Sequence, residues 1–252
     1  MELIVVGAGP AYTNREGASG SAYLVRLGDS SLLLDLGQGS FPRLFRHAEP
    51  STLIGVVVSH LHPDHFVDLV PLRHYLRYEF DPPRRVTVYG PTGLADRLDG
   101  LHAVPGFTAE ALDTVDVGVG RRTIGPFELE SALVLHTNES YAYRLAPAAS
   151  ADGPALVYSG DCGRAEDLEA LLRPGDALLA EASFGPGPVV PGAQHLDGPA
   201  IGRLAARCGV GRVLLTHIQM GFDPDATVRS VHEAGYEGSV EMVWPGSRAT
   251  LA

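Results

Sequence analysis

Ser59-His60-Leu61-His62-Pro63-Asp64-His65 is the stretch on which the reading of this chain turns. It follows Leu53–Val58, an apolar run with the composition of a buried strand, and it opens a helical pattern over Asp64–Tyr78. Two histidines two apart, then an aspartate and a third histidine, can divide into two ligand sets at a strand-to-helix turn. His60 and His62 can face one metal and Asp64 and His65 a second, with Pro63 stiffening the backbone between them. A solvated histidine-rich turn is the plain alternative. The flanking sequence decides between the two.

Outward from that turn, one design repeats. Leu133-Val-Leu135 ends in His136, and Leu156-Val-Tyr-Ser159 passes through Gly160 into Asp161. Leu178-Leu-Ala180 ends in Glu181, Val213-Leu-Leu-Thr216 in His217, and Leu32-Leu-Leu34 in Asp35. Each apolar strand delivers a metal-type side chain at its carboxyl end, where open α/β sheets place their sites. One such end alone reads as a satisfied polar residue; five of them beside a His-x-His-x-Asp-His motif read as a site.

The spacing predicts strands at Leu3–Val6, Ala22–Arg26, Ser31–Asp35, Leu53–Val58, Arg85–Tyr89, Phe127–Leu135, Tyr141–Leu145, Ala155–Ser159, Ala177–Ala180, Arg212–Thr216 and Val240–Trp244. Helices are predicted at Phe41–His47, Asp64–Tyr78, Pro91–Leu98, Ala165–Leu172, Gly198–Arg207 and Asp225–Glu233. The alternation is that of layered α/β in one domain over residues 1–252, with Gly185–Gly192 as a surface loop. Ile4-Val-Val-Gly7-Ala-Gly9 imitates a dinucleotide fingerprint, but Tyr12 stands where the third glycine belongs and no apolar helix follows.

Composition excludes several chemistries. All 19 basic residues among the 252 are arginine, so there is no Walker A lysine and no lysine Schiff base. A net charge of −11 disfavours broad contact with nucleic acid. Apolar runs are strand-sized, which predicts no membrane span. The first residues lack a basic n-region, and two cysteines, Cys162 and Cys208, make no disulfide framework; both fit a cytoplasmic protein.

Asp35, His60/His62/Asp64/His65, His136, Asp161 and His217 together resemble the motifs of the metallo-β-lactamase superfamily. The resemblance implies a four-layer αββα sandwich with a binuclear site at the sheet edges. By it, His60, His62 and His136 hold one metal, Asp64, His65 and His217 the other, and Asp161 bridges both, with Asp35 as an anchor behind them. Imidazole and carboxylate donors suit two divalent ions, Zn²⁺ first, with Mn²⁺ or Fe²⁺ also compatible. A family homodimer is implied as well.

Within the superfamily, Ala180-Glu181-Ala182-Ser183-Phe184 and Gln194-His195-Leu196-Asp197-Gly198 resemble segments of ribonuclease Z-like phosphodiesterases. There the histidine, oriented by the glutamate, protonates the leaving oxygen, a role that histidine suits near neutral pH. His136–Arg144, Tyr158–Asp161 and Leu215–Ile218 look like atypical class II cyclic-nucleotide phosphodiesterases. Ribonuclease Z proper carries a tRNA-gripping arm where this chain has only Thr137–Gly160.

On the helix after the motif, Leu69, Leu72 and Leu76 form a core stripe, while Arg73 and Arg77 with His74 offer a face for a substrate phosphate; Tyr75 or Tyr78 offers a rest for a base. The expectation is hydrolysis of a small phosphodiester, a cyclic nucleotide first. Two cations turn a shared water to hydroxide for attack on phosphorus, Asp64 belongs to the reacting centre, and His195 is the general acid paired with Glu181. The alternatives are ribonuclease Z-like tRNA 3′ processing, a lactam, lactone or thioester hydrolase, and a non-catalytic metal scaffold.

Overall fold

Alternate residues of the first strand serve different cores. Leu3 and Val5 point into one apolar cluster, Ile4 and Val6 into another. The two-residue period of a strand therefore already calls for a second sheet on one face and helices on the other. The computed structural model describes residues 1–251 and meets both demands.

The elements in chain order are β1 (Glu2–Gly7), β2 (Ala22–Leu27), β3 (Ser30–Leu34), α1 (Phe41–Leu44), β4 (Gly55–Val57), α2 (Pro63–Phe66) and α3 (Leu69–Tyr78). Then come β5 (Val86–Gly90), α4 (Leu94–His102), β6 (Leu112–Asp116), β7 (Gly120–Ile124), β8 (Phe127–Leu133), β9 (Tyr141–Pro147) and β10 (Leu156–Tyr158). The last are β11 (Ala177–Glu181), α5 (Gly198–Cys208), β12 (Arg212–Thr216), α6 (Pro224–Glu233), β13 (Ser239–Met242) and β14 (Arg248–Thr250). They build two seven-stranded sheets, ordered β14-β1-β2-β3-β4-β5-β6 and β13-β12-β11-β10-β9-β8-β7. Each is mixed: β3 to β6 and β10 to β13 run parallel, the remainder antiparallel.

Three apolar clusters separate the four layers. Between the sheets lie Leu34, Val57, Phe127, Tyr143, Tyr158 and Leu179. Outside the first sheet, Leu69, Leu72, Leu76, Leu94 and Leu98 cover Leu24, Leu33 and Val56. Outside the second, Ile201, Leu204 and Val231 cover Leu178, Val213 and Leu215. The result is the expected αββα sandwich. Helix starts follow local chemistry. Asp197 and Asp223 cap α5 and α6, accepting from the backbone N–H groups of Ala200 and Asp225, each with a proline in the first turn, and Gly209 ends α5 at φ 65°.

Several boundaries differ from the spacing. The helix expected over Asp64–Tyr78 is two, because Asp68 turns inward: its carboxylate accepts from Phe41 N at 2.8 Å and its N–H donates to Leu36 O. The fourth helix starts at Leu94 rather than Pro91 and runs on to His102, and Ala165–Leu168 is a 3₁₀ turn. Three strands carried no apolar signal, namely β6, β7 and β14. All three are edge strands, and each buries one residue only: Leu112, Ile124 and Ala249. No helix among the described residues is long and apolar enough to cross a membrane.

Candidate metal centre

The chain carries its acidic and imidazole groups to one edge by strand direction. β3 leads into Asp35, β4 into His60–His65, β10 into Asp161, β11 ends at Glu181, and β12 leads into His217. β8 pairs antiparallel with β9 and β9 antiparallel with β10, so β8 runs the way β10 does and delivers His136 at the same edge. The turns are backbone-tight. A Cβ on Gly37 would overlap the Asp64 carbonyl, and Gly160, at φ 55°, lets the chain enter Asp161 where a Cβ would lie 2.8 Å from Tyr141 O. Asp35 and His217 adopt φ 57°, a conformation unusual outside glycine and concentrated at functional sites.

All seven ligand-type residues come together, in two groups that share Asp161: His60, His62, His136 and Asp161, and Asp64, His65, Asp161 and His217. Each group takes two residues from the first sheet's turn and two from the second sheet. In the first, His62 Nδ1 lies 3.1 Å from His60 Nε2 and 3.0 Å from His136 Nε2, while Asp161 Oδ2 is 3.9 and 3.6 Å from those two Nε2 atoms. In the second, His217 Nε2 lies 3.2 Å from Asp64 Oδ2 and 3.3 Å from His65 Nε2; Asp161 Oδ1 is 3.3 Å from His65 and 3.6 Å from His217.

These spacings suit a divalent ion. Donors on a tetrahedral Zn²⁺ with bonds of about 2.0–2.1 Å stand about 3.3 Å apart. The convergence of ring nitrogens is otherwise hard to satisfy, and Asp161 Oδ1 is buried without a hydrogen-bond partner.

Behind the donors, each Nε2-facing histidine has its other nitrogen engaged. His65 Nδ1 donates to Asp35 Oδ2 at 2.7 Å and His136 Nδ1 to Gln194 O at 2.8 Å; His60 and His217 pair through Nδ1 with the Ser59 and Ser183 hydroxyls, each at 3.1 Å. Asp35 is fully buried and also accepts from Ser59 N, Ser59 Oγ and Tyr158 Oη at 2.6–2.8 Å. From the sequence alone Ser59, Ser183, Gln194 and Tyr158 have no role of their own; their only signal is a place within three residues of a motif histidine, aspartate or glutamate.

The electrostatics follow. Burial would raise the Asp161 carboxyl, but the neighbouring charges of His217 and His65 hold it well below the usual range. Burial opposes charge on His65 and His217, yet Asp161, with Asp35 beside His65 and Asp64 beside His217, pushes both upward. His60, buried and facing His65, is pushed well down.

Glu181 and His195 sit on the rim of this cluster. Glu181 is buried and accepts from the backbone N–H groups of Cys162, Leu196 and Ser183 at 2.9–3.2 Å. His195 Nδ1 lies 3.1 Å from Glu181 Oε1 and 3.8 Å from Asp161 Oδ2. Burial alone would lower His195; the Glu181 hydrogen bond and charge reverse that and raise it. Cys162 is fully buried, and burial pushes its thiol up to about 12, so it is a packed residue.

Of the substrate face expected on α3, Arg73 is corrected. Arg73 is buried, donates to Phe107 O at 2.7 Å and pairs with Glu110. Arg77 donates to the same Glu110, and the His74 ring packs on Phe107 and His102. The 102–110 segment buries Arg73 and leaves Arg77 partly exposed, a tertiary contact that helical spacing does not announce. Tyr75 likewise packs against Phe41, Phe45 and Phe80 and donates to Glu49.

Comparison with known proteins agrees with this architecture. The family model of the beta-lactamase superfamily domain matches residues 33–218. The chain is 35% identical to Uncharacterized protein ML1173 of Mycobacterium leprae over 90% of its own length and 80% of that protein's. It is 27% identical to Ribonuclease Z of Salinispora arenicola, covering 89% and 87%. The crystal structure of the metallo-beta-lactamase fold protein YhfI from Bacillus subtilis superposes with a TM-score of 0.86 at 23% identity, covering 98% of both chains. With a sandwich of that fold, a family match over most of the chain, and two donor clusters suited to divalent metal, the chain belongs to the beta-lactamase superfamily of metallo-hydrolases.

Proposed function

We propose that the chain is a binuclear phosphodiesterase acting on a small phosphodiester, with a cyclic nucleotide such as cyclic AMP as its substrate. The Glu181–His195 pair carries this reading. It stands next to Asp161, where a leaving alkoxide would require the proton that such a pair can supply. Glu181 retains the Nδ1 proton and fixes the ring, which leaves Nε2 as the atom that gives a proton to the leaving oxygen. Asp161 and the six other donor residues would hold two divalent ions, which when bound supply charge for the phosphoryl oxygens and an acidified water. Asp35 and the Ser59 and Ser183 hydroxyls keep the histidine rings aimed.

The small substrate is favoured by what lies between His136 and Asp161. Thr137–Gly160 holds β9 and β10, both integral to the sheet, and the eight-residue turn 148–155 between them, too little chain for an arm that reaches a tRNA body. The similarity to Ribonuclease Z favours a second reading, tRNA 3′ processing. Metal-loaded protein tested on cyclic AMP, cyclic GMP, bis(p-nitrophenyl) phosphate, precursor tRNA and nitrocefin separates the two. Turnover of a cyclic nucleotide with slow tRNA cleavage is expected; efficient tRNA processing with every small diester intact overturns the proposal.

A further inference from the structure

A cleft of about 310 Å³ opens beside the metal centre, lined by Leu61, His62, Pro91, Thr92, Arg97, Thr137, Asn138 and Glu139. Its volume falls at the lower end for small-ligand sites. Three strand-end turns, after β4, β5 and β8, and the start of α4 make it: His62 is a donor of the first cluster, and Thr137 and Asn138 directly follow another, His136. Anything held by that cluster and reaching outward on this side meets these walls.

Arg97 is the cation of the cleft, and it is unspent. Most arginines elsewhere are engaged: Arg144 with Asp176, Arg173 with Glu130, Arg85 with Asp113, Arg73 and Arg77 with Glu110. Among the described residues the Arg97 guanidinium has no hydrogen bond and no ion pair, a state it shares with Arg46 and Arg203, but only Arg97 lines a cleft with a metal-site histidine. The carboxylate in the same cleft does not neutralise it. Glu139 accepts from Tyr141 Oη at 2.6 Å and from Thr92 N at 3.1 Å and makes no pair with Arg97. In a chain with net charge −11, an exposed arginine kept free of carboxylates beside a divalent-metal cluster matches an anion, and its planar fork of N–H groups matches phosphate oxygens in particular.

We infer that Arg97 is a substrate-binding residue of this site, receiving a non-bridging oxygen of the substrate's phosphate in the cleft beside His62. The inference rests on the phosphodiesterase reading for its substrate but not for its anion. It gives α4 the role that sequence reasoning had assigned to Arg73 and Arg77 on α3.

The test compares wild type, Arg97→Ala and Arg97→Lys as metal-loaded proteins of equal metal content. It measures KM and kcat for bis(p-nitrophenyl) phosphate and cyclic AMP and, separately, inorganic phosphate binding by calorimetry. Arg97→Ala should raise KM and weaken phosphate binding about 10–100-fold, the range for charge-assisted hydrogen bonds, with a smaller change in kcat. Arg97→Lys should recover part of the binding, through its charge but without the planar fork. If KM and phosphate affinity stay within about twofold of wild type in Arg97→Ala, the assignment is wrong. If wild type cleaves no diester yet its phosphate affinity falls in Arg97→Ala and is partly restored in Arg97→Lys, the phosphodiesterase reading fails and the Arg97 assignment stands.

Discussion

Asp35 Oδ2 and His65 Nδ1 are 2.7 Å apart, a buried bond joining the end of β3 to the turn after β4. The same carboxylate collects Ser59 and Tyr158, so it fixes the motif turn and the second sheet together. Asp35→Ala should weaken metal affinity about 10–100-fold, as loss of a ligand's supporting partner generally does, and lower thermal stability. Chelator competition and thermal unfolding measure the two effects. Unchanged affinity would mean that His65 is oriented by something else.

Two ions per chain should be found by elemental analysis of protein prepared without chelator, because two donor groups share Asp161. Asp161→Ala should hold one ion at most and lose turnover. A folded wild-type protein that takes up a single ion under saturating Zn²⁺ or Mn²⁺ excludes the binuclear site.

His195→Ala should keep both ions but lose about 10²–10⁴-fold in turnover, the usual contribution of a positioned acid. The loss should shrink for p-nitrophenolate, a leaving group that needs no proton. Equal losses on good and poor leaving groups count against the acid role.

Alkylation should distinguish the two cysteines. Cys208 is partly exposed, whereas burial pushes the Cys162 thiol to about 12. At pH 8.5 the folded protein should take one iodoacetamide label and the denatured protein two, read by mass spectrometry. Rapid labelling of Cys162 in the folded state would contradict its burial.

Arg73→Ala should act on stability alone. It strands the Phe107 carbonyl and frees Glu110, a cost of about 1–3 kcal/mol for a buried group left without its partner. Denaturant unfolding reads that cost, and kcat/KM per folded molecule should match wild type. A selective rise in KM would restore the α3 face as a substrate surface.

Most of the site was legible because its residues are local in sequence or stand at the ends of apolar strands. His60 to His65 form one turn, and His136, Asp161, Glu181 and His217 each close a run that reads as buried. The layers were legible for the same reason, since strands covered on both faces have almost no polar positions, as in β11. What escaped notice depends on neighbours distant in sequence. Edge strands β6 and β7 are mostly solvated and look like loops. Arg73 reads as a surface charge until residues 102–110 fold over it, and Arg97 is informative only because nothing folds over it.

Each donor group draws two side chains from one sheet and two from the other, so neither half of the sandwich owns a complete site. A divalent ion here would be a clasp across the seam between two layers that otherwise meet through side-chain packing and a few hydrogen bonds such as Tyr158 to Asp35 and Tyr143 to Val58. Stripping the ions should therefore loosen the seam at this edge before it melts either sheet, leaving strand ladders protected from hydrogen exchange while Ser59–His65 and Gly160–Asp161 become exchangeable. Chemistry and cohesion along this edge then rise and fall together, and a condition that depletes metal will register as softness before it registers as unfolding.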